Sequence, residues 1–377
     1  MSVKSEHTDD NASWPYPIKQ ASRDPGPLNV HRNANQPAYV GIPTFMSLPI
    51  CLTPEDLRAG DVDVAVLGAP VDTSTGHRGA AFGPRALRAD ERYLFNNTSD
   101  LVNASTRIKP FDELTVVDYG DAAVDLWSIE NTERTIGQVV SEVLDVGAVP
   151  IVMGGDHSVM VPNVRALVEK YGADKLAVVH FDAHPDCHEE IYGHTKTHAT
   201  TIWRLVNELG VPGHNIVQAG IRTPGSPDNH LFHWMRKAGI HTHFMAEIER
   251  LGLPAVVDKV IAEASDGAEV VYVSLDIDVV DPAYAPGTGT PEPGGLSGRE
   301  ILTAFRRLCH ELPVVGMDVV EVAPHLDPGY HTALLARRVI LESISGLAMR
   351  KAGISTRDYR HPVVSGEIPF AMPARRS

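Results

Sequence analysis

Short apolar segments alternate with amphipathic helical segments over residues 62–349. In Thr132–Val146 the apolar residues are spaced by three or four, which is typical of a helix with one buried face. The segments between the helices are apolar at nearly every position, which indicates strands buried on both faces. The predicted strands are Val62–Leu67, Val149–Met153, Leu176–Phe181, Asn215–Gly220, Glu269–Leu275 and Val314–Val320, and the predicted helices are Thr132–Val146, Val164–Tyr171, Thr200–Leu209, Pro254–Ser265, Gly298–Cys309 and Thr332–Met349.

This alternation predicts the fold class. Strands that are buried on both faces and separated by helices imply a parallel sheet with helices on each side. We therefore predict one α/β domain with three α/β/α layers over residues 61–355. Residues 1–60 are rich in Pro, Asn and Ser without periodicity, and they are predicted to form an N-terminal extension. This extension is either a flexible arm or a segment packed on the body or on a neighbouring subunit, and residues 356–377 are predicted to be a C-terminal tail.

Four of the predicted strands end in polar clusters. Ligands of parallel α/β sheets bind beyond the carboxyl ends of the strands, where these clusters lie. Residues i and i+2 of a strand share a face, so Asp182 is expected to point the same way as His184. The same holds for Asp276 and Asp278, and Asp186 joins them if its strand continues. The clusters are GGDHS at 154–158, HFDAHPD at 180–186, SLDID at 274–278 and Glu321.

These clusters predict a metal site. Carboxylates packed densely beside an apolar sheet repel one another, and a bound cation relieves the repulsion while leaving them ionised. Two divalent metals would balance four carboxylates, and a bridging hydroxide would leave one net negative charge, which suits a cationic substrate. An oxygen-rich set with few imidazoles favours Mn²⁺, with Ni²⁺, Fe²⁺ or Co²⁺ as alternatives, over a calcium site or a thiolate zinc site. The candidate ligands are His157, Asp182, His184, Asp186, Asp276 and Asp278.

The same motifs resemble those of the ureohydrolase (arginase/agmatinase) family over roughly residues 38–350. The matching motifs are GGDHS at 154–158, DAHPD at 182–186 and SLDIDVVDPAYAPGTGTPEPGG at 274–295. The third is more similar to agmatinases and guanidino-acid hydrolases than to arginases. GHRGAAFGPRALR at 76–88 stands where the family has an RPGARFGP-like loop, but its residues 77–81 depart from that pattern.

The resemblance implies an arginase-like sheet of about eight parallel strands, assembled as trimers or hexamers. It also implies that the six candidate ligands hold two metals. In this family a hydroxide that bridges the metals attacks the guanidinium carbon, and urea and an amine are released. The protein is therefore expected to be a metal-dependent amidinohydrolase with two Mn²⁺ or Ni²⁺ ions per subunit.

The resemblance also implies roles for further residues. Glu321 matches the glutamate that holds the guanidinium, and Thr290 matches a threonine near the substrate. Asp186 is expected to accept a hydrogen bond from the hydroxide in addition to binding metal. The family's proton carrier is a histidine in the loop after DAHPD, where His198 is favoured over His194 although the residue that follows is Ala rather than the family's Gly.

The substrate is the part of the function that the motifs define least. Arginases hold the α-carboxylate of arginine with an Asn at the position of His188, and here Glu189 and Glu190 follow. Arginine is therefore disfavoured, and the amine tail of agmatine is compatible with these acidic residues. The alternative substrates are guanidine itself, a short N-alkyl guanidine or a biguanide such as dimethylbiguanide.

Two other functions are compatible with parts of the sequence. A binuclear phosphohydrolase could use the same ligand types, but it needs cationic groups for phosphate, and the motif loops contain few of them. A catalytically idle subunit, which stabilises an active paralogue in a hetero-oligomer, is disfavoured by the intact ligand set. The departures at 76–81 and Ala199 keep this second possibility open.

Composition restricts the partners. The 377 residues include 48 acidic and 33 basic side chains, a formal net charge of −15, which disfavours nucleic acids and anionic membranes. No apolar run reaches the about 18–20 residues that a membrane helix needs. The polar start Met1–Ser13 is unlike a signal peptide, and the three cysteines are too scattered for a disulfide framework. We therefore expect a cytoplasmic enzyme that acts on a small cationic guanidino compound.

Overall fold

The computed structural model of the chain describes residues 22–32, 39–73, 76–89, 101–224 and 230–355. Within these residues eight strands, all parallel to their neighbours, form one sheet with the order β2-β1-β3-β8-β7-β4-β5-β6. The strands are β1 (Val64–Ala69), β2 (Val116–Asp121), β3 (Val149–Gly154), β4 (Leu176–Phe181), β5 (Ile216–Ile221), β6 (His241–Phe244), β7 (Val270–Asp276) and β8 (Val314–Val320).

Helices cover both faces of this sheet. They are α1 (Pro54–Ala59), α2 (Gly83–Ala89), α3 (Pro110–Glu113), α4 (Ile129–Asp145), α5 (Met160–Tyr171), α6 (Thr201–Asn207), α7 (His230–Ala238), α8 (Met245–Leu251), α9 (Leu253–Ala264), α10 (Gly298–Glu311) and α11 (His331–Lys351). One hydrophobic core lies between the sheet and α2, α3 and α8–α11, and the other lies between the sheet and α1 and α4–α7. The prediction of three α/β/α layers is confirmed. None of these helices combines the length and the apolar character needed to cross a bilayer.

The central strands were predicted more closely than the edges. The predicted strands Leu176–Phe181 and Val314–Val320 coincide with β4 and β8, whereas Val62–Leu67 begins two residues before β1. The strands β2 and β6 were not predicted, and they are the two edges of the sheet. An edge strand is covered less completely than a central one, so its sequence does not need to be apolar throughout.

The described part of the N-terminal extension packs against the edge strand β2. Ile50 bridges in parallel to Asp118 of β2 and in antiparallel to Leu28. The backbone N–H of Phe45 donates a 2.8 Å hydrogen bond to Oδ2 of the same Asp118. Residues 1–21 of the extension and the predicted tail 356–377 lie outside the described residues.

The strand order brings together chain segments that are far apart in sequence. β3 and β4 follow one another in the chain, but β8 and β7 lie between them in the sheet. The carboxyl ends of β3, β8, β7 and β4 therefore form one continuous stretch at the middle of the sheet edge. The four polar clusters follow these four strands.

Candidate metal centre

His157 lies at the centre of a buried group of carboxylates. It follows β3, in a single 3₁₀ turn. Its Nδ1 atom is 3.0 Å from Asp182 Oδ2, 3.1 Å from Asp186 Oδ2 and 3.3 Å from Asp276 Oδ2. All four side chains are buried. Three carboxylates that converge on one imidazole nitrogen form a set of ligand atoms that could hold a metal ion.

A second group adjoins the first through Asp182. His184 Nδ1 lies 2.9 Å from Asp278 Oδ2 and 3.5 Å from Asp182 Oδ1. Asp182 thus directs Oδ2 towards the group around His157 and Oδ1 towards His184. Asp182, His184 and Asp278 could also hold a metal ion. The structure therefore brings all six candidate ligands together in two adjoining groups.

The loops that carry these side chains turn sharply. The alternation of side chains along the sequence had instead assumed extended strands. β4 ends at Phe181, and the N–H of His184 donates to Asp182 Oδ1 at 2.5 Å. Asp186 has a φ of 49°, so the backbone reverses direction there rather than continuing as a strand. The side chain of Asp186 reaches the site because of this turn.

A glycine permits the close approach of two other loops. A Cβ atom on Gly155 would lie 1.8 Å from the carbonyl oxygen of Val71. The N–H of Gly155 donates to Ala69 O at 2.7 Å, and its carbonyl accepts from Glu321 N–H at 2.8 Å. Gly155 therefore links the ends of β1, β3 and β8 directly before His157.

The tautomer of His157 follows from its neighbours below the site. Ser274 Oγ donates its proton to Asp318 Oδ1 at 2.6 Å, so it can only accept at the 2.9 Å contact with His157 Nε2. The proton of a neutral His157 is then on Nε2, and the lone pair of Nδ1 faces the carboxylates. A histidine held in this way is arranged as a metal ligand.

Burial and the neighbouring charges shift the pKa values of the carboxyl groups in this cluster. Burial, and then the charges of Asp278 and Asp182, raise the pKa of Asp276 well above its usual range. Burial opposes ionisation of Asp182, but the neighbouring histidines outweigh it and lower its pKa. Among the described residues, His157 Nδ1 and Asp182 Oδ2 have no hydrogen-bond partner. A divalent cation would satisfy both atoms and reduce the repulsion, so the residues present fit such an ion.

Glu321 lies behind the metal-ligating groups and next to His198. Its Oε1 accepts a 3.1 Å hydrogen bond from the N–H of His157 and lies 3.5 Å from His198 Nδ1. Burial raises the pKa of Glu321 to about 7, although His198 acts in the opposite direction. Burial lowers the pKa of His198, but the contact with Glu321 outweighs it and brings that pKa to about 9. His194, the other candidate, is exposed in a turn, where its N–H donates to Ile191 O.

A cavity of about 260 Å³ lies next to His184, Asp186 and His198. Its polar lining consists of His184, Asp186, His188, His198, Thr223 and Thr290. Its apolar lining consists of Pro185, Ile191, Ala199, Pro224, Leu231 and Phe232. Thr290 Oγ1 also donates to Asp278 Oδ2 at 3.3 Å. Both Thr290 and His188 therefore line the cavity, whereas Glu189 and Glu190 are exposed and are not part of the lining.

The loop that departs from the family pattern lies beside this cavity. His77 N–H donates to Gly289 O at 3.0 Å, and Gly76 contacts the side chain of Thr290 so closely that a Cβ would come within 2.6 Å of it. Arg78 is turned away to Asp72, to whose backbone oxygen it donates. The changed loop therefore supports the position of Thr290.

One buried histidine beside the ligands was not among the predicted site residues. His180 Nε2 lies 3.0 Å from Asp182 Oδ2, and the side chain is fully buried. It belongs to β4, and the strand pattern treated it as part of a polar cluster rather than as a site residue. A charged or polar residue inside an otherwise apolar central strand is the signal that could have identified it.

Comparisons with known proteins identify the family of this chain. A family model described as the arginase family matches residues 62–345. The guanidinopropionase of Pseudomonas aeruginosa is 39% identical, over 86% of this chain and 96% of its own length. The mitochondrial agmatinase of Gallus gallus is 37% identical, over 88% of this chain and 93% of its own length. The crystal structure of proclavaminate amidino hydrolase from Streptomyces clavuligerus superposes with a TM-score of 0.72 at 37% identity, and the match covers 84% of this chain and all of that chain.

Proposed function

This chain belongs to the arginase family and is a hydrolase of C–N bonds in guanidino compounds, and we propose that its substrate is a cation of the agmatine type, which it cleaves to urea and an amine. The observation that carries the proposal is the approach of three carboxylates to Nδ1 of His157, at 3.0 to 3.3 Å, next to a small cavity that one of them, Asp186, lines.

We assign the metal ligands from the measured contacts. One divalent ion would be held by His157, Asp182, Asp186 and Asp276, and the other by Asp182, His184 and Asp278. When bound, two such ions lower the pKa of water and so supply hydroxide near neutral pH. Members of the arginase family use a pair of divalent metals, typically Mn²⁺, and Ni²⁺ is the second ion to test.

Glu321 orients the substrate. Its Oε2 atom is buried and has no hydrogen-bond partner among the described residues, whereas Oε1 is engaged by the N–H of His157. A guanidinium placed there donates to the carboxylate through charge-assisted hydrogen bonds, which hold its carbon towards the ligand cluster. Asp186 lies at the base of the same cavity, so its carboxylate can also accept a hydrogen bond from the attacking water.

His198 supplies the proton that the leaving nitrogen needs. It lines the cavity beside Glu321, with its Nδ1 3.5 Å from Glu321 Oε1. A pKa of about 9 keeps its imidazole protonated at neutral pH, so it acts as an acid towards the leaving amine. This role requires a histidine in the cavity, and His194 is exposed instead.

The lining of the cavity bears on the substrate tail. Over the described residues of the lining there is no Lys or Arg to pair with a carboxylate. Guanidino acids and arginine would bring into the cavity a carboxylate that no Lys or Arg of this lining pairs, which is costly. A tail without a carboxylate avoids this cost.

The second candidate substrate is a short N-alkyl guanidine or a biguanide. The observation that favours it is the apolar wall formed by Ile191, Leu231 and Phe232, which contacts alkyl groups better than it contacts an ammonium. Glu189 and Glu190, which the sequence offered as partners for an amine, do not line the cavity. Guanidine itself is the smallest compound of this class.

One experiment distinguishes these substrates. Protein loaded with Mn²⁺ or Ni²⁺ is assayed for urea release from agmatine, arginine, guanidinobutyrate, guanidinopropionate, guanidine and dimethylbiguanide. The proposal expects agmatine to give the highest kcat/KM. Highest activity with dimethylbiguanide or guanidine favours the second candidate, and highest activity with a guanidino acid contradicts both.

The same preparation tests the assembly. We propose that the chain forms trimers or hexamers of identical subunits, which a measurement of molar mass in solution checks. Protein that binds metal but hydrolyses none of these compounds until a paralogue is added would instead favour an idle subunit in a hetero-oligomer.

A further inference from the structure

A row of polar side chains crosses three adjacent strands directly beneath the candidate metal centre. His180 of β4 is in register with Gln218 of β5, and Gln218 is in register with Thr242 of β6. His180 and Gln218 are fully buried. Burying a polar side chain in a sheet is costly unless the side chain is hydrogen-bonded. The hydrogen bonds of these side chains therefore indicate what the row does.

The orientation of the Gln218 amide is determined by its neighbours. Its Nε2 atom donates to the carbonyl oxygen of Pro185 at 2.9 Å, and a carbonyl can only accept. Its Oε1 atom correspondingly accepts from Thr242 Oγ1 at 3.4 Å. The nitrogen therefore faces His180, with Nε2 3.0 Å from His180 Nδ1.

This orientation selects the tautomer of His180. An amide nitrogen only donates, so His180 Nδ1 must accept from Gln218. The proton of the neutral imidazole is then on Nε2, which lies 3.0 Å from Asp182 Oδ2. His180 Nε2 and Asp182 Oδ2 are both buried and neither forms a hydrogen bond with any described residue. The two atoms are close enough that a small rotation of the imidazole would let each satisfy the other.

We propose that His180, with its tautomer set by Gln218, is a positioning residue that donates a hydrogen bond to Asp182 and so sets the spacing of the two metal-binding groups. Asp182 is the carboxylate that faces both groups, one oxygen to each. A fixed Asp182 therefore holds both groups in place. Nε2 carries the proton and has no lone pair for a metal, so His180 supports a ligand rather than being one. The inference rests on the proposed metal centre.

The test compares substitutions of this histidine. His180→Gln retains a donor near the position of Nε2, and His180→Leu removes it. A matched control is His243→Gln, because His243 is also a buried strand histidine and is held by Glu247 and Glu263 on the edge strand β6. Manganese binding is measured by equilibrium dialysis, and the paired state of the two ions is followed by electron paramagnetic resonance.

We expect His180→Leu to weaken binding of one of the two manganese ions by about 10- to 100-fold. The spectrum should change from that of a coupled pair towards that of an isolated ion. His180→Gln should remain within a few-fold of the wild type, and His243→Gln should bind manganese unchanged. Unchanged binding by His180→Leu overturns the proposal. Equal losses in His180→Leu and His180→Gln overturn it too, because they indicate a packing role only.

A second variant covers the case in which His180→Leu does not fold. Gln218→Leu keeps His180 but removes the donor that sets its tautomer, and it should weaken the same manganese ion by a smaller factor. Wild-type manganese affinity in folded Gln218→Leu overturns the proposal. Wild-type protein that binds two manganese ions but hydrolyses no guanidino compound contradicts the proposed function, and the dialysis comparison still decides the role of His180.

Discussion

The N–H of His157 donates a 3.1 Å hydrogen bond to Oε1 of Glu321, which joins the centre of the metal-binding cluster to the carboxylate proposed to hold the substrate. The two residues are 164 positions apart in the chain. Glu321 has a φ of 63°, and its N–H donates to Gly155 O. The left-handed backbone at the end of β8 therefore turns this carboxylate towards the turn that presents His157. One backbone contact thus joins the proposed substrate carboxylate to the proposed metal ligand.

Glu321→Gln separates these two functions. Glutamine retains an oxygen to accept from the N–H of His157, but it lacks the charge that pairs with a guanidinium. We expect kcat/KM to fall by about 10- to 150-fold, because this is the usual effect of losing a hydrogen bond to a charged group. The metal content should be unchanged. Steady-state kinetics and metal analysis on the same preparation check this. Wild-type kcat/KM in this variant would show that Glu321 does not hold the guanidinium.

His198→Ala tests the proton carrier. The imidazole of His198 lines the cavity and lies 3.5 Å from Glu321 Oε1, so turnover should fall on the order of a hundredfold or more in metal-loaded protein. His194→Ala is the matched control, because His194 is exposed four residues earlier in the same loop and should retain wild-type turnover. The assignment is reversed if the loss occurs in His194→Ala instead.

Removal of metal should destabilise the fold. Without a cation, Asp182, Asp276 and Asp278 are buried beside one another, and folding must overcome their repulsion. A metal present at about 100 times its Kd stabilises the folded state by about 2.7 kcal/mol. We therefore expect a chelator to lower Tm and added Mn²⁺ to restore it in differential scanning calorimetry. An unchanged Tm after complete removal of metal would contradict a metal centre in this cluster.

Asp56→Asn tests the packing of the N-terminal segment. Asp56 accepts hydrogen bonds from Arg23 Nη2 at 2.5 Å, from Gly26 N–H at 2.9 Å and from Leu52 N–H at 3.0 Å. Burial acts to raise the pKa of Asp56, but these hydrogen bonds outweigh it and lower the pKa below its usual range. The substitution removes one acceptor and should lower the free energy of unfolding at pH 7 by about 1–3 kcal/mol.

The difference in the free energy of unfolding between the wild type and Asp56→Asn should decrease as the pH falls. A carboxyl whose pKa is depressed in the folded state contributes stability above its unfolded pKa of about 3.9, and the contribution is lost as the pH falls. The difference in unfolding free energy between the wild type and Asp56→Asn, measured by urea unfolding, should therefore become smaller below about pH 4. A gap that is constant, or that widens in acid, would mean that the ionised form of Asp56 is not the stabilising one.

The sequence alone determined the central strands and the chemistry that follows them. A strand buried on both faces is apolar at most of its positions, so β4 and β8 were recognisable from the sequence. The edge strands were not, because β2 contains Asp118 and Gly120 and β6 is a four-residue segment with two histidines. The polar residues that interrupt the apolar pattern at the ends of the central strands identified the six candidate ligands and Glu321.

Only the tertiary structure decided which of these groups meet and how they are held. β7 and β8 come last in the chain yet lie between β3 and β4, and local periodicity contains no information about that order. The backbone reversal at Asp186, the exposure of His194 and the place of His198 in the cavity lining depend on loop geometry. The place of His180 follows from its register with Gln218 on the neighbouring strand, since contacts between strands are not encoded in the spacing of residues along one of them.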